Sequence, residues 1–170
     1  MKNFILGIIF TLVAILIGAL IFTRSGFANV TADTPPNPIE TILLKPALDP
    51  AIERHAPRAD NPVQMTDANL IQGMKLYTMN CALCHGSLNQ KPNTVGAALS
   101  PDAPNLILKP LDDPEWHTFY ATKHGIRMTG MPAWGGILTD DDLWRITGFL
   151  SRLDKLPPAL QEEIKKAFPL

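Results

Sequence analysis

Both cysteines of this 170-residue chain fall in one pentapeptide, Cys81-Ala82-Leu83-Cys84-His85. On a helical turn, residues i and i+3 share a face, so the two thiols can reach two points on one bound group. His85 follows at once and can aim its imidazole at a metal from the same side. Cys-x-x-Cys-His is the attachment signature of haem c, in which the thiols bond the two vinyl groups and the histidine binds iron. Three other readings compete. A thioredoxin-like redox pair needs a βαβ setting, and no such pattern surrounds the motif. A zinc site needs about four ligands, and no second cysteine pair exists. A disulfide across two intervening residues closes too short a loop to matter for stability.

A haem iron held on one side by histidine takes its sixth ligand from elsewhere, as methionine or a second histidine. Met128 and Met131 lie in Arg127-Met128-Thr129-Gly130-Met131-Pro132-Ala133-Trp134-Gly135-Gly136. Glycines and a proline there predict a rigid, non-helical loop that can hold a thioether in one pose. Met131, between Gly130 and Pro132, is the candidate ligand. Met128, His124, His117 and His55 are the alternatives, and the three histidines read as surface residues. Met74 falls on an apolar helix face and reads as core, while nothing singles out Met65 or Met79. Iron held on both sides has no open position, which argues against oxygen or peroxide chemistry.

The elements that must position these groups read as helices. Thr66 or Asp67 can cap a helix running to about Cys81, with Leu70, Met74 and Tyr77 on one face. Gly73 inside it costs about 1 kcal/mol against alanine, so it predicts a close backbone crossing. Gly86 to Pro114 holds five prolines and little periodicity. A loop that long is expected to wrap a bound group, with Trp134 packed against it too. Glu115 to His124 reads as a short helix. Thr139-Asp140-Asp141-Asp142 starts another, with a Thr cap and acids at the positive end of the dipole. Leu143, Ile146, Phe149, Leu150 and Leu153 form its apolar face, Pro157 and Pro158 stop it, and 158–168 can add a terminal helix. No alternating strand pattern appears, so the fold class is all-α.

Apolar residues at 46% and charged residues at 18% permit a packed core, and a net charge of −1 gives no electrostatic case for nucleic acid. Phe4 to Phe22 is uncharged and apolar; as a helix it spans roughly 29 Å, close to the hydrocarbon thickness of a bilayer. An uncleaved anchor is expected, with a signal cut after Val30-Thr31-Ala32 as the rival. Lys2 and Arg24 flank the run almost symmetrically, so charge does not orient it. Attachment of haem c on the exported side does, placing the domain in the periplasm or exterior. Pro35 to Pro62 is proline-rich and glycine-free, which predicts an extended, stiff spacer. Its Ile42-Leu43-Leu44 is either a docking arm or one apolar spot in a solvated linker. The expected organisation is an anchor over 1–24, a linker over 25–64, a haem domain over 65–153 and a tail over 154–170.

Residues from about Thr66 to Leu153 resemble a class I cytochrome c, specifically the membrane-anchored bacterial mono-haem kind. The matching pieces are Gly73-x-x-x-Tyr77-x-x-x-Cys81-Ala82-x-Cys84-His85-Gly86, then Ala103-Pro104-Asn105-Leu106. His124-Gly125-Ile126-Arg127-Met128-Thr129-Gly130-Met131-Pro132-Ala133-Trp134-Gly135 and the capped helix bearing Trp144 and Phe149 complete them. The resemblance implies one haem c on Cys81 and Cys84, with His85 and Met131 on the iron. It implies a proline carbonyl holding the histidine, which Pro104 matches best and Pro101 next. It also implies that the first and last helices cross near Gly73, with Phe149 against the glycine. The implied activity is electron transfer between membrane-associated donor and acceptor proteins, by Fe(III)/Fe(II) cycling. Two alternatives remain: an electron-entry subunit of a larger oxidase, reductase or dehydrogenase, and a peroxidase-like haem protein with Met131 off the iron.

Overall fold

The computed structural model describes residues 1–34, 38–43, 45–87 and 93–167. The chain divides into two units, Met1–Thr31 and Ala32–Leu170.

The first unit is built on α1 (Lys2–Arg24), 23 residues with none buried. Its most apolar stretch has a mean hydropathy of 3.0, and it is long and apolar enough to cross a membrane. Its hydroxyls are satisfied within the helix: Thr11 Oγ1 donates to the Gly7 carbonyl at 2.9 Å and Thr23 Oγ1 to the Leu20 carbonyl at 3.0 Å. Internal pairing of this kind is what a hydrocarbon environment demands.

The second unit is helical, and no strand occurs among the described residues. In chain order come α2 (Pro38–Leu43), α3 (Leu48–His55), α4 (Asp67–Asn80), α5 (Ala82–His85), α6 (Thr94–Ala97), α7 (Glu115–His124), α8 (Asp140–Leu150) and α9 (Pro158–Ala167). Side-chain caps start the two central helices. The Thr66 hydroxyl accepts from the Asn69 N–H at 3.3 Å. The Thr139 hydroxyl accepts from the Asp142 N–H at 3.2 Å and donates to the Asp142 carboxylate at 2.7 Å. Each cap satisfies a donor that the helix itself leaves unpaired.

The core is the contact of α4 with α8. Leu70, Met74, Leu76 and Tyr77 of α4 and Ile146, Phe149 and Leu150 of α8 are buried in one cluster, joined by Cys81 and Leu106. Gly73 marks the crossing: a Cβ there would collide with the Arg145 carbonyl oxygen and lie 3.0 Å from Phe149 Cβ. α7 covers another side of α8, with Phe119 stacked on Trp144 at 4.0 Å and 7°.

Two sequence expectations are corrected. The proline-rich segment is not an extended spacer, because α2, a 3-10 turn at Lys45–Ala47 and α3 occupy much of it. Its prolines are compatible with helix: Pro38 opens α2 and Pro50 lies in the first turn of α3, where N–H groups have no intrahelical partner. Nor is it solvated throughout, since Ile52, Ala56 and Val63 are buried. Ile42 is exposed, while Leu44 and the Leu43 side chain lie outside the described residues. The tail after Leu153 carries α9, which runs to Ala167, and its Leu156 and Leu160 join the core; Phe168 lies outside the described residues. Finally, the long loop contains α6, started by the Asn93 side chain accepting from the Gly96 N–H at 2.9 Å.

A polar hub ties the segment before α4 to the helices. Asn61 Nδ2 donates to Glu115 Oε2 at 2.7 Å and to the Trp144 carbonyl at 3.1 Å. Ser151 Oγ donates to Glu115 Oε1 at 2.8 Å, and the Arg152 guanidinium bonds the same oxygen. Burial alone would raise the Glu115 carboxyl. The hydrogen bonds from Asn61, Ser151 and Arg152, with the guanidinium charge, hold it below the usual glutamate value.

Candidate haem site

α4 delivers the motif. Its last turn ends in the Cys81 N–H donating to the Tyr77 carbonyl at 2.8 Å, and α5 then makes one turn on which the Cys84 and His85 N–H groups share the Cys81 carbonyl at 3.1 and 2.9 Å. Cys81 is buried and Cys84 half-buried, and both are free thiols. Burial first, and the neighbouring Cys84 second, push the Cys81 thiol up to about 12. A thiol–disulfide catalyst needs the opposite, a nucleophile with a lowered value. Among the described residues no group of three or more His, Cys, Asp or Glu side chains gathers to hold a bare ion.

His85 is gripped from two directions. Its Nδ1 lies 3.0 Å from the Pro104 carbonyl oxygen. Its own carbonyl accepts from the Leu106 N–H at 2.9 Å. The buried Tyr77 hydroxyl reaches the His85 and Gly86 carbonyls at 3.0 and 2.7 Å. Burial, and secondarily Cys81, raise the Tyr77 phenol above its ordinary value, so it stays a proton donor. Asn105 Oδ1 accepts from the Ile107 and Leu108 N–H groups at 3.1 and 3.0 Å, turning the chain just after Pro104. Asn93 Nδ2 donates to the Cys84 carbonyl.

This donor set fits a covalent haem. With Nδ1–H given to a carbonyl, the imidazole keeps its Nε2 lone pair for a metal, the arrangement usual for histidine ligands. Two free thiols stand one helical turn apart on the segment that carries it.

The loop that carries Met131 is held by hydrogen bonds of its own. The Ile126 N–H donates to the Met131 carbonyl at 3.2 Å. The Thr129 hydroxyl donates to the Ile126 carbonyl at 2.7 Å and accepts from the Met131 N–H at 3.0 Å. Gly125 has φ +66, and a Cβ there would press on the Met131 carbonyl, Pro132 and Ala133, so the turn admits glycine alone without strain. Met131 is half-buried, whereas Met128 has φ 60 and is 80% exposed at the loop tip.

The other sequence candidates divide. His55 and His124 are exposed. His117 is not the surface residue its sequence context suggests: it is 7% exposed, with Nδ1 3.9 Å from Asp113 Oδ1 and its ring edge-on to Trp116. Helix α7 buries that face as it packs between α3 and α8. Trp134 is half-buried in a 3-10 turn, Trp134–Gly136, that packs on α7. Pro101 follows a cis peptide bond and is exposed. Sequence reasoning missed the Thr129 hydroxyl, although a threonine two residues before a fixed N–H is a known turn signal.

Residues 68–150 match the family described as cytochrome C oxidase, cbb3-type, subunit III. No curated protein matches the chain. The matched stretch opens in the first turn of α4 and closes with the last residue of α8, so it contains the motif, the histidine clamp and the methionine loop. Residues 68–150 are therefore a cytochrome c domain of the class I family, an electron-carrying module.

Proposed function

We propose that the chain carries one covalent haem c and transfers electrons on the exported side of the cytoplasmic membrane, anchored there by Lys2–Arg24. Cys81 and Cys84 form the thioether bonds, His85 and Met131 ligate the iron, and Trp134 packs on the haem. The observation that carries this reading is the His85–Pro104 hydrogen bond, which fixes the imidazole with Nε2 unencumbered beside the two free thiols. When bound, haem supplies a one-electron Fe(III)/Fe(II) couple. The protein's part is to keep two ligand segments where they stand, so that little must move when the charge changes. Tyr77 and Pro104 hold the histidine segment; Thr129 and Gly125 hold the methionine segment. The anchor raises the local concentration of the domain near other membrane proteins.

Haem that resists extraction by acidified acetone, and little holoprotein from Cys81→Ala with Cys84→Ala, are the expected results. Extractable haem in the native protein overturns covalent attachment. The likeness of residues 68–150 to an oxidase subunit family favours a second reading, in which the domain is the electron-entry subunit of a larger complex. Co-purification of the intact chain with an oxidase from detergent-solubilised membranes supports that reading, and isolation as a lone chain supports the free carrier.

A further inference from the structure

We propose that Thr129 is the positioning residue for the sixth ligand: its hydroxyl keeps the Met131 thioether on the iron. The inference rests on Met131 as that ligand and concerns how it is held. Met131 has two backbone polar groups, and both are used inside the loop. Its carbonyl accepts from the Ile126 N–H, and its N–H donates to the Thr129 hydroxyl. The same hydroxyl gives its proton to the Ile126 carbonyl. One oxygen atom thus bridges the two ends of the turn, acting as acceptor at one end and donor at the other. On the far side, the Leu99 side chain lies under Gly130, where a Cβ would crowd its methyl groups.

The consequence is a ligand whose pose does not depend on the iron–sulfur bond. An axial methionine is a weak neutral ligand, and other ligands can displace it if its loop swings out. Met128, on the same loop, is exposed to solvent. With the bridge intact, swinging out breaks two hydrogen bonds as well as the iron–sulfur contact. Losing the bridge should therefore favour the displaced state by about tenfold or more.

The test uses the ferric holoprotein and imidazole as the competing ligand. Thr129→Val keeps the shape and removes the hydroxyl; Thr129→Ser keeps the hydroxyl. The expected result for valine is at least about tenfold tighter imidazole binding and loss of the sulfur-to-iron charge-transfer band at a lower alkaline pH. Serine should stay close to the parent protein. Equal imidazole affinity in the parent and Thr129→Val overturns the proposal. So does a serine variant that behaves as valine does, because the hydroxyl is then irrelevant. Should valine yield too little holoprotein, the serine comparison is made against Thr129→Ala by the same titration. Met131→Leu separates the two claims: a charge-transfer band that survives it removes Met131 as ligand, whatever the Thr129 variants do.

Discussion

The imidazole Nδ1 of His85 and the carbonyl oxygen of Pro104 stand 3.0 Å apart, across 19 residues of chain. Backbone bonds bracket this contact. The Ala103 N–H donates to the Gly96 carbonyl at 2.9 Å on one side, and the Leu106 N–H to the His85 carbonyl at 2.9 Å on the other. Ala103 precedes a proline and is confined to extended geometry, which helps aim the next carbonyl. A neutral carbonyl draws the Nδ1 proton less strongly than a carboxylate would.

The identity of the opposite ligand can be read from the potential. Met131→His should keep a low-spin, six-coordinate iron and lower the midpoint potential, since thioether favours Fe(II) more than imidazole does. Met128→Leu should leave spectrum and potential nearly unchanged, because that side chain is in solvent. Redox titration of both variants checks this; a spin change in Met128→Leu alone would exchange their roles.

At the helix crossing, Gly73→Leu should destabilise the holoprotein by roughly 3 kcal/mol, because added atoms meet the Arg145 backbone and cannot be accommodated by a side-chain shift. Denaturant unfolding followed by far-UV circular dichroism measures it. A midpoint unchanged from the parent would mean that α4 and α8 do not touch here in solution.

Acid should loosen the hub at Glu115. A carboxyl held below its usual value favours the folded state above its unfolded pKa, and that contribution fades as pH falls through the folded value. Glu115→Gln removes the titrating group. The melting temperature of the parent should therefore exceed that of Glu115→Gln at neutral pH, and the gap should close in the acid range below the usual glutamate value. A gap constant with pH would assign the difference to packing.

Without haem the domain should lose its unique fold. Much of the loop between α5 and α7 has no helix of its own, and Leu83, Leu108 and Val95 are exposed. The cysteine-intact apoprotein is expected to keep partial helix by circular dichroism, melt without a cooperative transition and be cut by protease in 86–114. A cooperative melt near that of the holoprotein would show that the protein core suffices.

What could be read from the sequence was local. Thr66 and Thr139 announce their helices because a cap acts within three residues, and Gly73 announces a close neighbour because it is costly where it stands. The apolar face of α8 follows from helical spacing alone. The docking of the segment before α4 was not legible, because it rests on single long-range pairings such as Asn61 with Glu115, across 54 residues. Proline content pointed to extended chain, yet Pro38 and Pro50 occupy helix starts, where proline is tolerated. His117 looked like a surface residue because its burial depends on which side of α7 faces α8. At the site the residue types and spacing single out candidate ligands, whereas the Tyr77 and Thr129 hydroxyl bonds needed coordinates.

The meeting of Gly73 with Arg145 also governs how the chain between them can vary. Helices α4 and α8 close a ring of sequence, and every residue proposed to hold the haem lies on that ring. The entropy lost on closing a flexible ring grows only logarithmically with its length, about 0.6 kcal/mol for each doubling. Residues added near Ser87, between the histidine turn and α6, would therefore be inexpensive. The same addition between Ile126 and Met131 would not be, since there the ring is already pinched shut by hydrogen bonds at both ends of a single turn.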